Sequence, residues 1–346
     1  VANVIGTDLS RYKLISKGLF ACNPMHVGRD ERLPIALYEK DSPAIVSPAY
    51  FMFEIIDRDI LNEEYLMMWF RRPEFDRECW FMTDGSVRGG ITWDDLCRIK
   101  LPVPSYTRQC EIVESYRAIT NRIALKRAEN DNLEATALSI YKCFFVDYIP
   151  FDGSQPSSWK EVTVDDIASD VICGKTPPTA DPQNYGGTIP FITIPDMHGS
   201  VYTTSTARFL SEKGASTQPG KVLPANSVCV SCIASVGLVC LTAEPSQTNQ
   251  QINSIICKEQ ISPFYVYTKM TTLNEYLKQL GAGGSTTLNI NKTLFGQIPI
   301  LLPDEASMKE YHNKVEPLFS SIRENQYEIQ HLESLKRLLL SQLSSS

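Results

Sequence analysis

The chain has 346 residues, 43% hydrophobic and 21% charged, with a net charge of −7. That length accommodates two cores of about 100–150 residues each, and no run approaches the roughly 18–20 uncharged apolar residues of a membrane span. The start, Val1-Ala2-Asn3-Val4, carries no basic leader, so a soluble, cytoplasmic protein with no membrane partner is expected, its ten scattered cysteines reduced.

Residues 1–104 mix short β-like runs at 44–46 and 50–53 with a helix over 62–70, opened by Asn62 as a cap and by Glu63 and Glu64 in the first turn. Residues 105–147 follow Pro102 and Pro104 and contain neither Gly nor Pro. Ile112, Tyr116, Ile119, Ile123, Lys126, Asn130, Leu133, Ala137, Ile140 and Phe144 recur there at alternating spacings of four and three. This is the a/d stripe of a coiled coil, and it predicts one long spacer helix.

Residues 148–303 begin with a turn-rich linker at 150–158, after which Trp159 opens a second globular unit. Its β-like runs lie at 222–223, 227–230, 238–241 and 252–257, between loops rich in Gly, Pro, Thr and Asn, so the body is expected to be α+β. Residues 304–346 form a second long helix, with Tyr311, Val315, Leu318, Ile322, Asn325, Ile329, Leu332, Lys336, Leu339 and Leu343 on its stripe. A single apolar stripe needs a partner, so the two helices are expected to pack on each other or on another protein. The alternative is that both stripes are buried faces within compact domains. Lys126, Asn130, Asn325 and Lys336 interrupt the stripes at a cost in stability, and such polar members fix register.

One offset, 199 residues, relates the two halves. Gly85-Ser86-Val87-Arg88-Gly89-Gly90-Ile91 precedes Leu96, Ile99, Leu101 and Pro104, and Gly284-Ser285-Thr286-Thr287-Leu288-Asn289-Ile290 precedes Phe295, Ile298, Ile300 and Pro303. The same offset superimposes both stripes. A period this long is a duplicated domain with its helix, since solenoid repeats run about 20–50 residues. The second unit runs from Trp159 to Ile290, whereas only 91 residues end at Ile91. The first unit is therefore expected to lack about 40 residues at its front.

Catalytic and metal signals are weak. Cys229-Val230-Ser231-Cys232 has no second ligand pair at zinc spacing and reads as a buried strand. Asn23-Pro24-Met25-His26 and Ser47-Pro48-Ala49-Tyr50 faintly echo the tetrapeptide of amino-methyltransferases, but no Gly-rich cofactor turn accompanies them and both read as turns. The polar loops carry more. Lys175, Thr176, Tyr185, Asn249, Gln250, Ser285, Thr286 and Thr287, with Ser86 and Arg88 in the first unit, are the residue types that contact phosphates and base edges. Charge alone does not point to nucleic acid: residues 1–104 hold 13 Lys and Arg against 16 Asp and Glu, and residues 155–288 hold 8 against 10.

The order of globular unit, long helix, globular unit, long helix resembles the specificity subunit of type I restriction-modification systems. The local match lies at Trp159-Lys160-Glu161-Val162, at Ile172 to Pro177, at Gly284-Ser285 to Ile290, at Ile298 to Pro303, and in the first half at Gly85-Ser86 to Pro104. The resemblance implies a fold of two target-recognition domains separated by two long antiparallel coiled-coil helices in a pseudo-two-fold tandem repeat. It implies a non-catalytic DNA-recognition subunit in which each domain reads one half of a bipartite double-stranded target. Ile119, Ile123, Lys126, Asn130, Leu318, Ile322, Asn325 and Lys336 would then lie on the helices that set the spacer and dock two methyltransferase subunits. Those partners would bring S-adenosylmethionine, and a restriction and translocase subunit would bring ATP and Mg, leaving no cofactor in this chain. A coiled-coil scaffold protein and a DNA adenine methyltransferase are the alternatives.

Overall fold

The computed structural model describes residues 8–25, 27–83, 89–282 and 288–343. The chain divides into two compact units, residues 1–123 with 332–346, and residues 124–331.

The first unit opens with the short strands β1 (Lys13–Ile15) and β2 (Phe20–Cys22), the single turn α1 (Val27–Asp30), and β3 (Ile35–Leu37), β4 (Ala44–Val46) and β5 (Phe51–Phe53). β1 pairs with β4, and β2 lies between β3 and β5, all antiparallel. The helix α2 (Glu63–Phe70) forms where the sequence predicts it, because the Asn62 side chain accepts from the Glu64 and Tyr65 amides. α3 (Pro73–Phe81) starts on a proline at its first position, where the missing N–H costs nothing. α4 (Trp93–Arg98) is capped by Thr92, and α5 (Tyr106–Phe145) follows. Cys22, Val27, Trp69, Phe75 and Ile91 form a core that closes on Ile112, Val113 and Tyr116 of α5 and on Leu340 and Leu343 near the chain's end.

In the second unit, α5 ends in a reversal. Tyr148 and Asp152 take left-handed backbone, with φ of 52° and 55°, on either side of a 3-10 turn at Ile149–Phe151. This returns Trp159 onto Phe145 and Phe151, with ring centroids 5.5 and 5.0 Å away. β6 (Lys160–Thr163), α6 (Val164–Ile167), β7 (Ala168–Cys173), β8 (Tyr185–Ile192), β9 (Tyr202–Thr203), β10 (Phe209–Leu210) and α7 (Glu212–Ser216) come next. β11 (Val228–Ser231), β12 (Val239–Thr242), β13 (Gln247–Thr248), β14 (Ile252–Cys257), α8 (Pro263–Thr272), α9 (Asn274–Gly281), α10 (Lys292–Gly296), β15 (Pro299–Leu302) and α11 (Glu305–Gln342) complete the chain.

The strands form sheets in the orders β7-β14-β11-β12-β9, β10-β8-β13 and β15-β6. β9 joins β12, and β13 joins β8, in parallel; the other pairs are antiparallel. β11, β12 and β14 fall on the predicted runs, but 222–223 supplies only the isolated bridge of Leu223 to Ser246. Pro224, which has no N–H to donate, prevents the ladder from continuing.

Within each unit the segments of α5 and α11 run antiparallel. Lys336 Nζ sits 5.8 Å from the Tyr116 ring in the first unit. In the second, Lys126 meets Asn325, and the Tyr141 and Tyr311 rings lie 6.3 Å apart. Both helices also use a further face: Phe145 and Phe319, off the a/d stripe, pack on Tyr265 and Phe264 of α8 at 4.8 and 4.5 Å. The two readings of the stripes thus both hold, since the helices pack on each other and also on their globular bodies. Pro317 lies inside α11 and is exposed, so its absent hydrogen bond falls on the solvent side.

The 199-residue offset recurs in three dimensions. Thr92 and Asn291 each cap a short helix, accepting from the amides of Asp95 and Leu294. The preceding Ile91 and Ile290 are buried in their respective cores. The Tyr65 hydroxyl donates to the Pro102 carbonyl, and the Tyr265 hydroxyl to that of Leu301, just before each long helix; the acceptors keep the offset and the donors depart from it by one residue.

Candidate nucleic-acid interface

β7 hands the chain to a strap at 174–178 that crosses the end of β14. The Gly174 and Lys175 amides donate to the carbonyls of Ile252 and Thr248 at 3.1 and 2.9 Å. Gly174 approaches so closely that a Cβ would stand 2.1 Å from the Asn249 carbonyl oxygen and 2.3 Å from Thr248 Oγ1. Only a residue without a side chain fits this crossing.

Beneath the strap lies a buried amide ladder. Gln218 Nε2 donates to the Lys175 carbonyl at 2.7 Å and to Gln247 Oε1 at 3.0 Å. Gln247 in turn donates to the carbonyls of Ala215 and Gln218. Burying these amides is tolerable because the ladder supplies partners to both Nε2 groups and to Gln247 Oε1, whereas Gln218 Oε1 is left without one. Lys175 is exposed above it, and the Thr176 hydroxyl donates to Gln250 Oε1 at 2.7 Å.

Two neighbouring loops complete the surface. The Tyr185 hydroxyl donates to the Pro177 carbonyl at 2.9 Å, and the Arg208 guanidinium stands 6.0 Å from its ring. Asn249 is 8% exposed; its amide donates to the Gln251 side chain at 3.0 Å and accepts the Gln251 N–H at 3.1 Å. It holds the turn that leaves Gln250 exposed. Lys213 bonds Asp181 and Gln183, and this bond above all holds the Asp181 carboxyl below the usual carboxylate range.

Lys175, Thr176, Tyr185, Asn249 and Gln250 are thus brought into one cluster. The surface can make charge-assisted contacts to phosphates through Lys175 and directional hydrogen bonds through Thr176 and Gln250. Ser86, Arg88, Ser285, Thr286 and Thr287 lie outside the described residues. The flanks of their segments are tied: Gly89 accepts from Gly28 and Ile91 donates to Pro24, while Asn289 donates to Gly281 and Leu288 accepts from Ala234. Gln218, Gln247 and Arg208 were not marked by the sequence. Gln247 borders the polar run of 248–251, but that run does not show which of its amides turn inward.

On the helices, Ile123, Ile322 and Asn325 are buried, and Ile119, Lys126, Asn130, Leu318 and Lys336 are half-buried. Lys126 Nζ donates to Asn325 Oδ1 at 2.7 Å and to Glu129 at 2.9 Å, with Glu328 at 3.6 Å. Asn325 Nδ2 donates to Asn130 Oδ1 at 2.9 Å. Lys126 and Asn325 are themselves 199 residues apart. Positions equivalent in the repeat therefore touch, as a two-fold relation between the helical copies requires.

Among the described residues no group of three His, Cys, Asp or Glu is placed to hold a metal. Cys229 and Cys232 lie in and beside β11, both buried, and burial pushes the Cys232 thiol up to about 12. Ser47 and Asn23 each organise a turn, accepting from the amides of Ala49 and Met25.

Residues 156–334 match the model of the type I restriction modification DNA specificity domain. The chain is 32% identical to the type I restriction enzyme HindI specificity subunit of Haemophilus influenzae, covering 99% of this chain and 89% of that protein. It is 28% identical to the MjaIX specificity subunit of Methanocaldococcus jannaschii, over 84% of this chain and 70% of that one. The crystal structure of the type I restriction-modification system S subunit from M. genitalium shares its fold, with a TM-score of 0.62 at 13% identity over 96% of this chain and 84% of that chain. The strap, the duplicated caps and the paired helices therefore belong to a member of the type I restriction-modification specificity subunit family.

Proposed function

We propose that this chain recognises DNA sequence as a non-catalytic subunit, with each globular unit reading one half of a bipartite target. The observation that carries the reading is the strap of the second unit. A glycine crossing and a buried amide ladder hold exposed Lys175 and Gln250, with half-buried Thr176, on one edge, a preorganised polar surface at the end of the sheet. Family membership supplies the DNA. The polar loops of the two units differ while their caps and stripes correspond, which suits two readers of different sequences.

The long helices set the separation of the half-sites and dock two methyltransferase subunits, which carry S-adenosylmethionine. A restriction and translocase subunit brings ATP and Mg. The acidic balance of the chain is compatible with DNA because partners share the phosphate contacts.

The test is to map adenine methylation in DNA exposed to the complex of this chain with its methyltransferase subunits. One asymmetric bipartite motif is expected. Methylation without a fixed bipartite motif, or none that depends on this chain, refutes the proposal.

A further inference from the structure

Within the second unit, the globular body meets the helix pair around an open cleft of about 340 Å³ lined by Asn130, Glu134, Val201, Tyr267, Ile322 and Gln326. Apolar packing is incomplete at the cleft itself, while Phe145 and Phe319 seat the same helices on α8 to one side of it. Two hydrogen bonds span the gap. The Tyr202 N–H, on the edge strand β9, donates to Gln326 Oε1 of α11 at 2.9 Å. The Tyr267 hydroxyl of α8 donates to Glu134 Oε1 of α5 at 3.0 Å. Arg323 adds its guanidinium 5.7 Å from the Tyr202 ring.

These anchors adjoin the polar centre of the helix pair. Gln326 follows Asn325, and Glu134 lies one turn beyond Asn130, its bonded partner. A slip of one turn, about 5.4 Å, breaks the Lys126–Asn325–Asn130 contacts and both anchors together. Buried helix residues such as Phe144, Tyr311 and Ile322 resist such a slip by packing, and the hydrogen bonds add the directionality that apolar contacts lack.

We propose that Gln326 and Glu134 are positioning residues that lock the second recognition body to the register of the helix pair, and so make the chain selective for the number of base pairs between its half-sites. This rests on the reading above that the chain recognises a bipartite target. Neither residue contacts DNA in this scheme; each acts through Tyr202 or Tyr267.

The experiment uses the complex with methyltransferase subunits and a panel of duplexes whose half-sites are separated by the native spacer or by one base pair more or less. Gln326→Leu and Tyr267→Phe are expected to reduce discrimination against the wrong spacers about tenfold each, the equivalent of about 1.4 kcal/mol for one hydrogen bond. Binding to a duplex carrying only the second half-site stays unchanged. Gln326→Glu and Glu134→Gln retain an acceptor and are expected to keep the native preference, a rescue that a general loss of folding does not produce. Tyr267→Phe removes one oxygen and keeps the ring, so the test stands even if the leucine variant misfolds. If the wild-type complex prefers one spacer and Tyr267→Phe retains that preference in full, the inference fails alone. If the wild type shows no spacer preference, the bipartite reading fails and this inference with it.

Discussion

Replacing Gly174 by alanine tests the strap most directly. The added Cβ would lie 2.1 Å from the Asn249 carbonyl oxygen and 2.4 Å from that of Thr248, so the strap must retreat by about 0.9 Å to reach even the 3.0 Å below which real contacts are not found. Neither carbonyl yields easily. Thr248 O accepts the Lys175 N–H, and the Asn249 N–H is bonded to Ile192 O. Overpacking against backbone costs about 1–3 kcal/mol, and losing the Lys175 to Thr248 bond adds about 1 kcal/mol, so a local destabilisation of about 2–4 kcal/mol is expected. Hydrogen exchange in the intact chain reads this locally, because a protein of two units need not unfold in one step. The Gly174 and Lys175 amides should exchange at least about tenfold faster while those of β11, at the sheet's centre, hold their protection. Recognition of the second half-site should fall with them. Unchanged protection at both amides and unchanged recognition would refute the close approach and the role given to the strap.

Three further outcomes follow. Lys175→Ala should weaken binding to all sequences alike and lower the slope of log affinity against log salt by about one, as measured by titration over a salt series. Asp304 caps α11, and its carboxylate accepts from the Ser307 amide, the Ser158 hydroxyl and the Trp159 indole, which together hold it below its ordinary 3.8. Its contribution is therefore complete above the ordinary carboxylate range and lost as pH falls from about 4 toward the lowered folded value. Asp304→Ala should cost about 1–2 kcal/mol at neutral pH, read locally from hydrogen exchange of the amides in the first turns of α11, with the difference from wild type shrinking below pH 4. Inserting one heptad into both long helices should lengthen each by about 10 Å and widen the spacer in the methylated motif by about three base pairs at ~3.4 Å each; an unchanged motif excludes the helices as the ruler.

The helices α2, α5 and α11 were legible because their signal is local, whereas α3, α8 and α9 were not, since each begins without a side-chain cap. The Asn62 cap and the alternating stripes each repeat one physical requirement several times over. The strands β11, β12 and β14 were legible for the same reason, as runs of buried β-formers. β8 was not, because Gly186, Gly187 and Pro190 break its pattern and its pairing with β10 and β13 comes from distant sequence. At the site, residue type identified Lys175, Thr176 and Gln250 as polar loop members, and they do share one surface. Residue type did not reveal that Asn249 is spent on its own turn, or that Gln218 and Gln247 carry the strap from below. Those roles depend on which way a side chain faces after the loops have met.

The tyrosine hydroxyls that close on Pro102 and Leu301 bear on which substitutions the joint between body and helix tolerates. Each clasp fastens a globular body to the segment leading into a long helix through a backbone carbonyl, a contact indifferent to the side chain that the acceptor residue carries. Because the acceptor is a main-chain oxygen, a substitution at either acceptor position leaves the joint intact, whereas loss of the tyrosine hydroxyl opens it.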